Sequence, residues 1–531
     1  MRIFRTMALG ALLLVGAAGC DLAVENMNAP DAERALSNPG DVEALIAGSW
    51  INWWYPTYHY NGGGPWLSTA SFQHSAYPAN FAMVEYSAIP RVPTGNDPSH
   101  GYYGQISMAY TYWYRAISAV NDGLKAVLVD ESADLGDDEA RAIAWGRFVQ
   151  GLSYGYLGLL YGNGPLVDET TDLTGELTFV EYPELIQASL DYLQEAIDLA
   201  QQNEFDIPVT WHWGGEWDQD RFAQVAHSFR ARIRANSART LADREAVDWN
   251  AVLADIDAGI EDDLLYTMTR QGFQGNWSLY YMLLRGWGQM NYFVAGMSDT
   301  SGKYAEWMNE PVSDRHPNLD SGPFLIQTPD LRFPQGETED EQKENPGTRF
   351  QVAAAAGDQW QRPDRGSWRW SYYHERKTNL DAVEGLMPDI SMHEMNLLAA
   401  EAHYHLGNLD QAAELINLSR VEAGLNATDA SGTNTSCVPT MPPSHPSNPN
   451  GCGDLWEMLK WEKRMMTGME HGLLTAPWFF DSRGWGDLHE GTIMQLPVPA
   501  LVAELAGQPQ EQYGGANSGN EWSAPVGTYG Y

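Results

Sequence analysis

The chain has 531 residues, with 70 acidic against 31 basic side chains and a formal charge of −39. That length is enough for a large core in two or three subdomains. So negative a surface repels phosphate backbones and anionic lipid, which argues against nucleic acid or a bare membrane surface as partner.

In chain order, Arg2 and Arg5 precede an apolar run from Met7 to Ala18, closed by Gly19 and Cys20. The run is too short to span a bilayer and has signal-peptide anatomy over residues 1–19. A cysteine directly after small residues fits a bacterial lipobox, with Ala17 where leucine is usual. Cys20 is therefore expected to be the lipidated mature N-terminus and membrane anchor. Residues 51–107 are rich in Gly, Pro and aromatics, with no helical or strand period. Helical stripes follow. Trp113, Ile117, Val120, Leu124 and Val127 step 4-3-4-3. Trp145, Phe148, Val149, Leu152, Tyr156 and Leu159 form a second stripe, Ile186, Leu190, Leu193, Ile197 and Ala200 a third, and Phe222, Ala226, Phe229 and Ile233 a fourth. They pair 109–128 with 138–161, and 181–202 with 220–242.

Residues 264–385 return to irregular, aromatic-rich sequence. Then Met395, Leu398, Ala399, Ala402 and Leu406 mark one helix and Leu409, Ala412, Ala413 and Ile416 another. Gly407 stops the first, and Asn408 with Gln411 predicts an N-cap for the second. So tight a join makes the two antiparallel, the logic of a tetratricopeptide pair. Cys437 and Cys452 flank a Pro- and Ser-rich loop and are expected to be bonded in an oxidising compartment. The predicted fold is mainly α: a tetratricopeptide-like scaffold of helix pairs, with a long irregular loop-rich face and little strand. Its regions are 20–263, an N-terminal helical repeat region with aromatic loops; 264–385, an irregular ligand-facing region; and 386–531, a C-terminal repeat and closing block.

Enzyme signatures fail on context. Gly151-Leu152-Ser153-Tyr154-Gly155 matches a nucleophile elbow as text but lies inside an amphipathic helix, not a strand-to-helix turn. His374-Glu375 and His393-Glu394 open a zinc-protease motif, yet Thr378 and Leu397 stand where the second His belongs. Asp255-Ile256-Asp257 lacks the rest of a calcium loop. No motif requires a metal or an organic cofactor.

Aromatics are the informative excess: 21 Trp and 26 Tyr against 15 Phe. Trp and Tyr combine a flat apolar face with a polar handle and suit half-exposed binding surfaces. Trp113, Trp145 and Trp249 fall on or near stripes and are assigned to the core. Trp53, Trp54, Tyr58 and Trp66 lie in the first loop region beside Asn52, Asn61 and three glycines. Trp277, Tyr281, Trp287, Trp368 and Trp370 lie in the middle region. These nine are the candidate ligand-stacking residues, suited to the flat C–H faces of sugar rings.

Ala400-Glu401-Ala402, Leu406-Gly407 and Leu415-Ile416-Asn417 through Arg420 and Ala423-Gly424-Leu425 resemble the C-terminal repeat of SusD/RagB-like nutrient-binding outer-membrane lipoproteins. Trp113-Tyr114-Arg115-Ala116-Ile117 to Asn121, and Ala140-Arg141-Ala142 to Tyr161-Gly162-Asn163-Gly164-Pro165-Leu166-Val167, resemble earlier helices of that family. Trp461-Glu462-Lys463-Arg464, Trp478-Phe479-Phe480-Asp481 with Arg483 and Trp485-Gly486, and Leu496-Pro497-Val498-Pro499 resemble its closing block, with Glu462 and Phe480 farther apart than usual. The resemblance implies that Trp461, Trp478 and Trp485 are structural. It also implies a non-enzymatic, surface-exposed lipoprotein on the outer membrane of a Gram-negative bacterium. Such a protein captures oligosaccharide and passes it to a SusC-like TonB-dependent outer-membrane transporter. The rival readings are a same-fold binder of peptide or another nutrient, and a secreted helical glycan hydrolase.

Overall fold

The first helix, α1 (Pro39–Tyr58), runs through the segment that lacks obvious periodicity. Asn38 caps it by accepting from the Gly40 N–H, and Pro39 occupies the first turn, where a missing N–H costs nothing. Val42, Ile46, Trp50, Trp53, Trp54 and Tyr58 are all buried along it. Its exposed side carries Ala44, Gly48, Ile51 and Tyr55 rather than a row of charges, so no polar stripe marks the helical period. The computed structural model describes residues 36–75, 80–284, 287–311, 324–352, 371–445, 451–468, 472, 474, 477–516 and 521–530. Cys20 with the 1–19 segment, and Trp368 and Trp370, lie outside the described residues.

After the short α2 (Gly64–Ala70) come α3 (Tyr103–Leu124), α4 (Glu139–Leu160), α5 (Tyr182–Gln202) and α6 (Gln219–Asn236). Each packs on the next, and α1 packs on α3 and α4. Contact between α4 and its neighbours is close because of glycine. A Cβ on Gly151 would meet the Leu193 side chain at 2.7 Å, and one on Gly155 would meet Ile233 at 2.6 Å. The Gly-x-Ser-x-Gly text is thus a packing row, with Ser153 fully buried between the two glycines.

Two short helices, α7 (Leu241–Glu245) and α8 (Trp249–Asp257), lead into the middle segment, which holds α9 (Trp277–Met282). Strands are short, and those that frame the middle segment are β1 (His74–Ser75), β2 (Leu264–Met268), β3 (Gln289–Met290), β4 (Phe350–Val352), β5 (Tyr373–Glu375) and β6 (Gly385–Ile390). They pair antiparallel as β1 with β3, β2 with β6 and β4 with β5. The β2–β6 ribbon ties together the two ends of the middle segment.

The C-terminal pair is α10 (Met392–His405) and α11 (Leu409–Glu422), turned at Gly407 with φ +79°. Ser391 caps α10, accepting from the Glu394 N–H. Asn408 holds the N-cap position of α11, but its side chain makes no capping bond. The disulfide joins Cys437 and Cys452, whose Cα atoms are 4.8 Å apart. One hydrophobic cluster runs from Val42 through the helical stack to Leu398, Phe480 and Ala524, so the first helix and the last residues share a core.

The closing block adds α12 (Leu455–Thr467) and α13 (Trp478–Gly484) and a buried charge network. Arg244 of α7 grips Glu401 of α10 with two bonds of 2.7 Å and reaches Asp481 of α13 at 2.8 Å. Lys463 of α12 bonds Glu401 at 2.7 Å and Asp481 at 3.0 Å. The Trp485 indole donates to Glu401 at 2.8 Å. Burial pushes the Glu401 carboxyl up, but Arg244 and Lys463 outweigh it and hold the group well below the carboxylate range. Arg483 answers four backbone carbonyls, those of Leu159, Asn236, Ala238 and Met494, and so ties α4 and α6 to the closing block.

A second knot contributes to the acid limb of stability. Glu457 lies 2.7 Å from Lys460 Nζ and accepts from the Tyr529 hydroxyl at 2.7 Å. Burial raises this carboxyl, but Lys460 and the hydrogen bonds bring it down to about 2. A depressed folded pKa means the stabilisation is complete above the unfolded value of about 4.3 and is lost as pH falls toward about 2. Melting temperature is therefore expected to fall across that window. In Glu457→Gln, which starts lower, the fall should be shallower, as pH-dependent thermal melts would show.

Candidate functional site

The two faces of α1 have different fates. Trp50, Trp53, Trp54 and Tyr58 point inward; Asn52, Tyr55 and His59 line the other side. Trp54 stacks on Tyr58 at 3.9 Å between centroids, and its indole N–H donates to the Phe273 carbonyl at 2.9 Å. The Trp53 ring meets Tyr156 and Phe229. Tyr58 donates to Asp389 at 2.6 Å, and Asp389 and Glu394 surround the buried Arg232. Trp66 is buried against Tyr86. As placed, none of these four has a free face for a ligand. This corrects the expectation for Trp53, Trp54, Tyr58 and Trp66: hydrophobic burial takes their rings first.

Trp277, Tyr281 and Trp287, in contrast, are half-exposed. Asn276 caps α9 by accepting from the Leu279 N–H, and Leu279 and Met282 are buried. That leaves Trp277, Tyr280 and Tyr281 on its outer side. From Tyr281 the rings continue in both directions. Trp287 is 5.1 Å away, Tyr60 5.1 Å and Phe81 5.2 Å. Tyr60 meets His59 at 3.9 Å, His59 meets Tyr55 at 4.7 Å, and Tyr55 meets Tyr112 at 5.1 Å and Phe273 at 4.8 Å. The result is an unbroken shelf of partly exposed rings drawn from α1, α3, α9 and the loops beside them.

Phe81 carries the local cost of this shelf. Its φ is +54° and that of Ala82 is +60°, a left-handed conformation that a bulky residue rarely adopts. It is held there with its ring 4.7 Å from Tyr60 and 5.7 Å from Trp287. Such strain gathers at functional surfaces more often than elsewhere. Burial lowers the His59 pKa to about 4, so its ring is neutral at pH 7. Its Nδ1 accepts from the Asn61 N–H at 3.1 Å. Arg115, exposed, lies over the Tyr112 ring at 4.7 Å and supplies one cation at that end. Asn52 shares the outer face of α1 with Tyr55 and His59, and no hydrogen bond uses its amide among the described residues.

The shelf offers flat faces, hydroxyls and amides rather than a nucleophile with its base. Among the described residues, no three His, Cys, Asp or Glu side chains are grouped to hold a metal ion. Tyr55, His59, Tyr60, Phe81, Tyr112, Phe273 and Tyr280 were not anticipated as site residues. Only Tyr55 and His59 carried a usable signal, their i, i+4 spacing opposite the Trp50–Trp54–Tyr58 stripe.

No protein-family model and no curated protein matches the chain. Solved structures do. A SusD homolog from Parabacteroides distasonis superposes with a TM-score of 0.54 at 12% identity, over 90% of this chain and 93% of that one. The fold is that of SusD. A SusD-like protein from Bacteroides fragilis gives 0.51 at 13% identity, over 90% and 97% of the two chains. A SusD superfamily protein from Bacteroides vulgatus gives 0.50 at 14%, over 84% and 88%. The SusD-like frame accounts for the closing-block motifs physically. Lys463, Asp481 and Trp485 are the residues that clamp Glu401 and Arg244, and Glu462 holds Arg332 at 2.7 Å.

Proposed function

We propose that this protein is a non-catalytic, oligosaccharide-binding lipoprotein of the outer membrane, anchored through Cys20, that passes its ligand to a TonB-dependent transporter. The observation that carries the ligand class is the run of rings Tyr112, Tyr55, His59, Tyr60, Tyr281 and Trp287, each within about 5 Å of the next. One ring holds a sugar weakly. Several in line hold a chain through effective concentration, because each bound unit keeps the next one near. An elongated shelf therefore favours an oligosaccharide over a single sugar. Anchoring and hand-over to the transporter rest on the signal-peptide pattern and the family resemblance. Among the described residues no helix is long and apolar enough to cross a membrane.

The test is a glycan array probed with the chain lacking residues 1–20, followed by incubation of any hit with the protein and a reducing-end assay. The expected result is retention of oligosaccharides with no new reducing ends. Retention of peptides alone would favour the peptide-binding rival, and release of reducing ends would favour the hydrolase.

A further inference from the structure

A second concave site lies beyond the shelf, between the β4–β5 ribbon and the last turn of α11. It is a cleft of about 250 Å³ whose walls include Arg332, Arg349, Glu375, Arg376, Lys377 and Glu422. Four cations in one cleft are unusual in a chain with only 31 Lys and Arg and a charge of −39. Two are answered internally. Arg332 is held by Asp330 and Glu462 at 2.7 Å each, and Arg349 by Glu375 at 3.1 Å.

Arg376 and Lys377 are not answered. Arg376 Nη1 donates to the Gly347 carbonyl at 2.9 Å, which orients the guanidinium without neutralising it. Lys377, half-exposed, makes neither a hydrogen bond nor an ion pair among the described residues. Glu422, on the opposite wall, pairs with neither. Elsewhere Arg141, Arg147, Arg230, Arg232 and Arg244 each hold a carboxylate. Arg376 is exposed and Lys377 half-buried, so both charges face the open side of the cleft and are available to an anion from outside.

Arg offers a planar fork that matches a carboxylate, and Lys adds a point charge. Arg376 and Lys377 together set two positive charges against the one negative charge of Glu422. The cleft volume lies just below the ~300–1,000 Å³ of pockets that enclose a drug-sized ligand, room for one sugar ring inside it. Glu375 lines both the cleft and a small cavity whose wall includes Gly288, the residue after Trp287.

We propose that this cleft receives the carboxylate of a uronic acid unit, so that the oligosaccharide captured is an acidic one. The proposal rests on the oligosaccharide reading of the shelf. The probes are hexagalacturonate and the neutral hexaose made by reducing its carboxylates, titrated calorimetrically in ~150 mM salt. At that ionic strength the protein's own charge is screened beyond about 8 Å. Wild type should bind the acidic probe at least about tenfold more tightly, the worth of a charge-assisted hydrogen bond. The double variant Arg376→Gln/Lys377→Gln should bind both probes at the neutral level, with an unmoved melting temperature. Equal binding of the acidic probe by variant and wild type, or no preference for it in wild type, overturns the proposal. If neutral glycans still bind, the oligosaccharide reading survives that failure. If no glycan binds wild type at all, both fall together.

Discussion

Replacing Glu401 by alanine will destabilise the fold by about 3–5 kcal/mol, the cost of breaking a buried ion pair from one side. Arg244, Lys463 and Trp485 all converge on this carboxylate, and all are buried. Alanine leaves two desolvated cations to share Asp481 alone. The four helices α7, α10, α12 and α13 meet at this point, so the loss is not confined to one repeat. Denaturant unfolding followed by helical signal measures it. Glu401→Gln keeps the shape and the hydrogen-bonding oxygen but removes the charge, and should fall between wild type and alanine. If both variants unfold at the wild-type midpoint, the network does not hold the closing block to the scaffold.

Trp53→Ala will cost a similar amount, about 3–5 kcal/mol, through lost burial and the cavity left behind. The side chain is fully enclosed, among Trp50, Tyr156 and Phe229. It sits where α1 crosses α3 and α4, and α1 has no other way to bury its inward face. The melting temperature should drop well below wild type. An unchanged melt would mean that α1 is not part of the core and would reopen Trp53 as a surface residue.

Much of the scaffold was legible because α3, α5 and α11 each have an exposed polar side that makes their apolar stripe visible. The first helix was not, because Trp50, Trp53, Trp54 and Tyr58 are buried in a run that also holds Pro56 and ends near three glycines. The error there carried into the site. Trp54 and Tyr58 point into the core, and their neighbours Tyr55 and His59 point out. In the middle segment Trp277, Tyr281 and Trp287 are joined to the run of partly exposed rings. Phe81, Tyr112 and Phe273 join it from distant parts of the chain, and periodicity carries no information about such meetings. The same holds for Glu401 and Lys463, whose partners lie on other helices.

The central claim is that the ring shelf binds ligand and the α1 rings do not. Paired calorimetry and thermal melting on Trp287→Ala test it, using the oligosaccharide selected on the array. Trp287 packs at a tilt against Tyr281 and Phe81 and is half-buried. The expected result is a loss of about 1–3 kcal/mol in affinity, as for one aromatic stacking contact, with the melting temperature held at the wild-type value. Unchanged affinity together with a lowered melting temperature would show that these rings cement loops to the scaffold and that the ligand binds elsewhere.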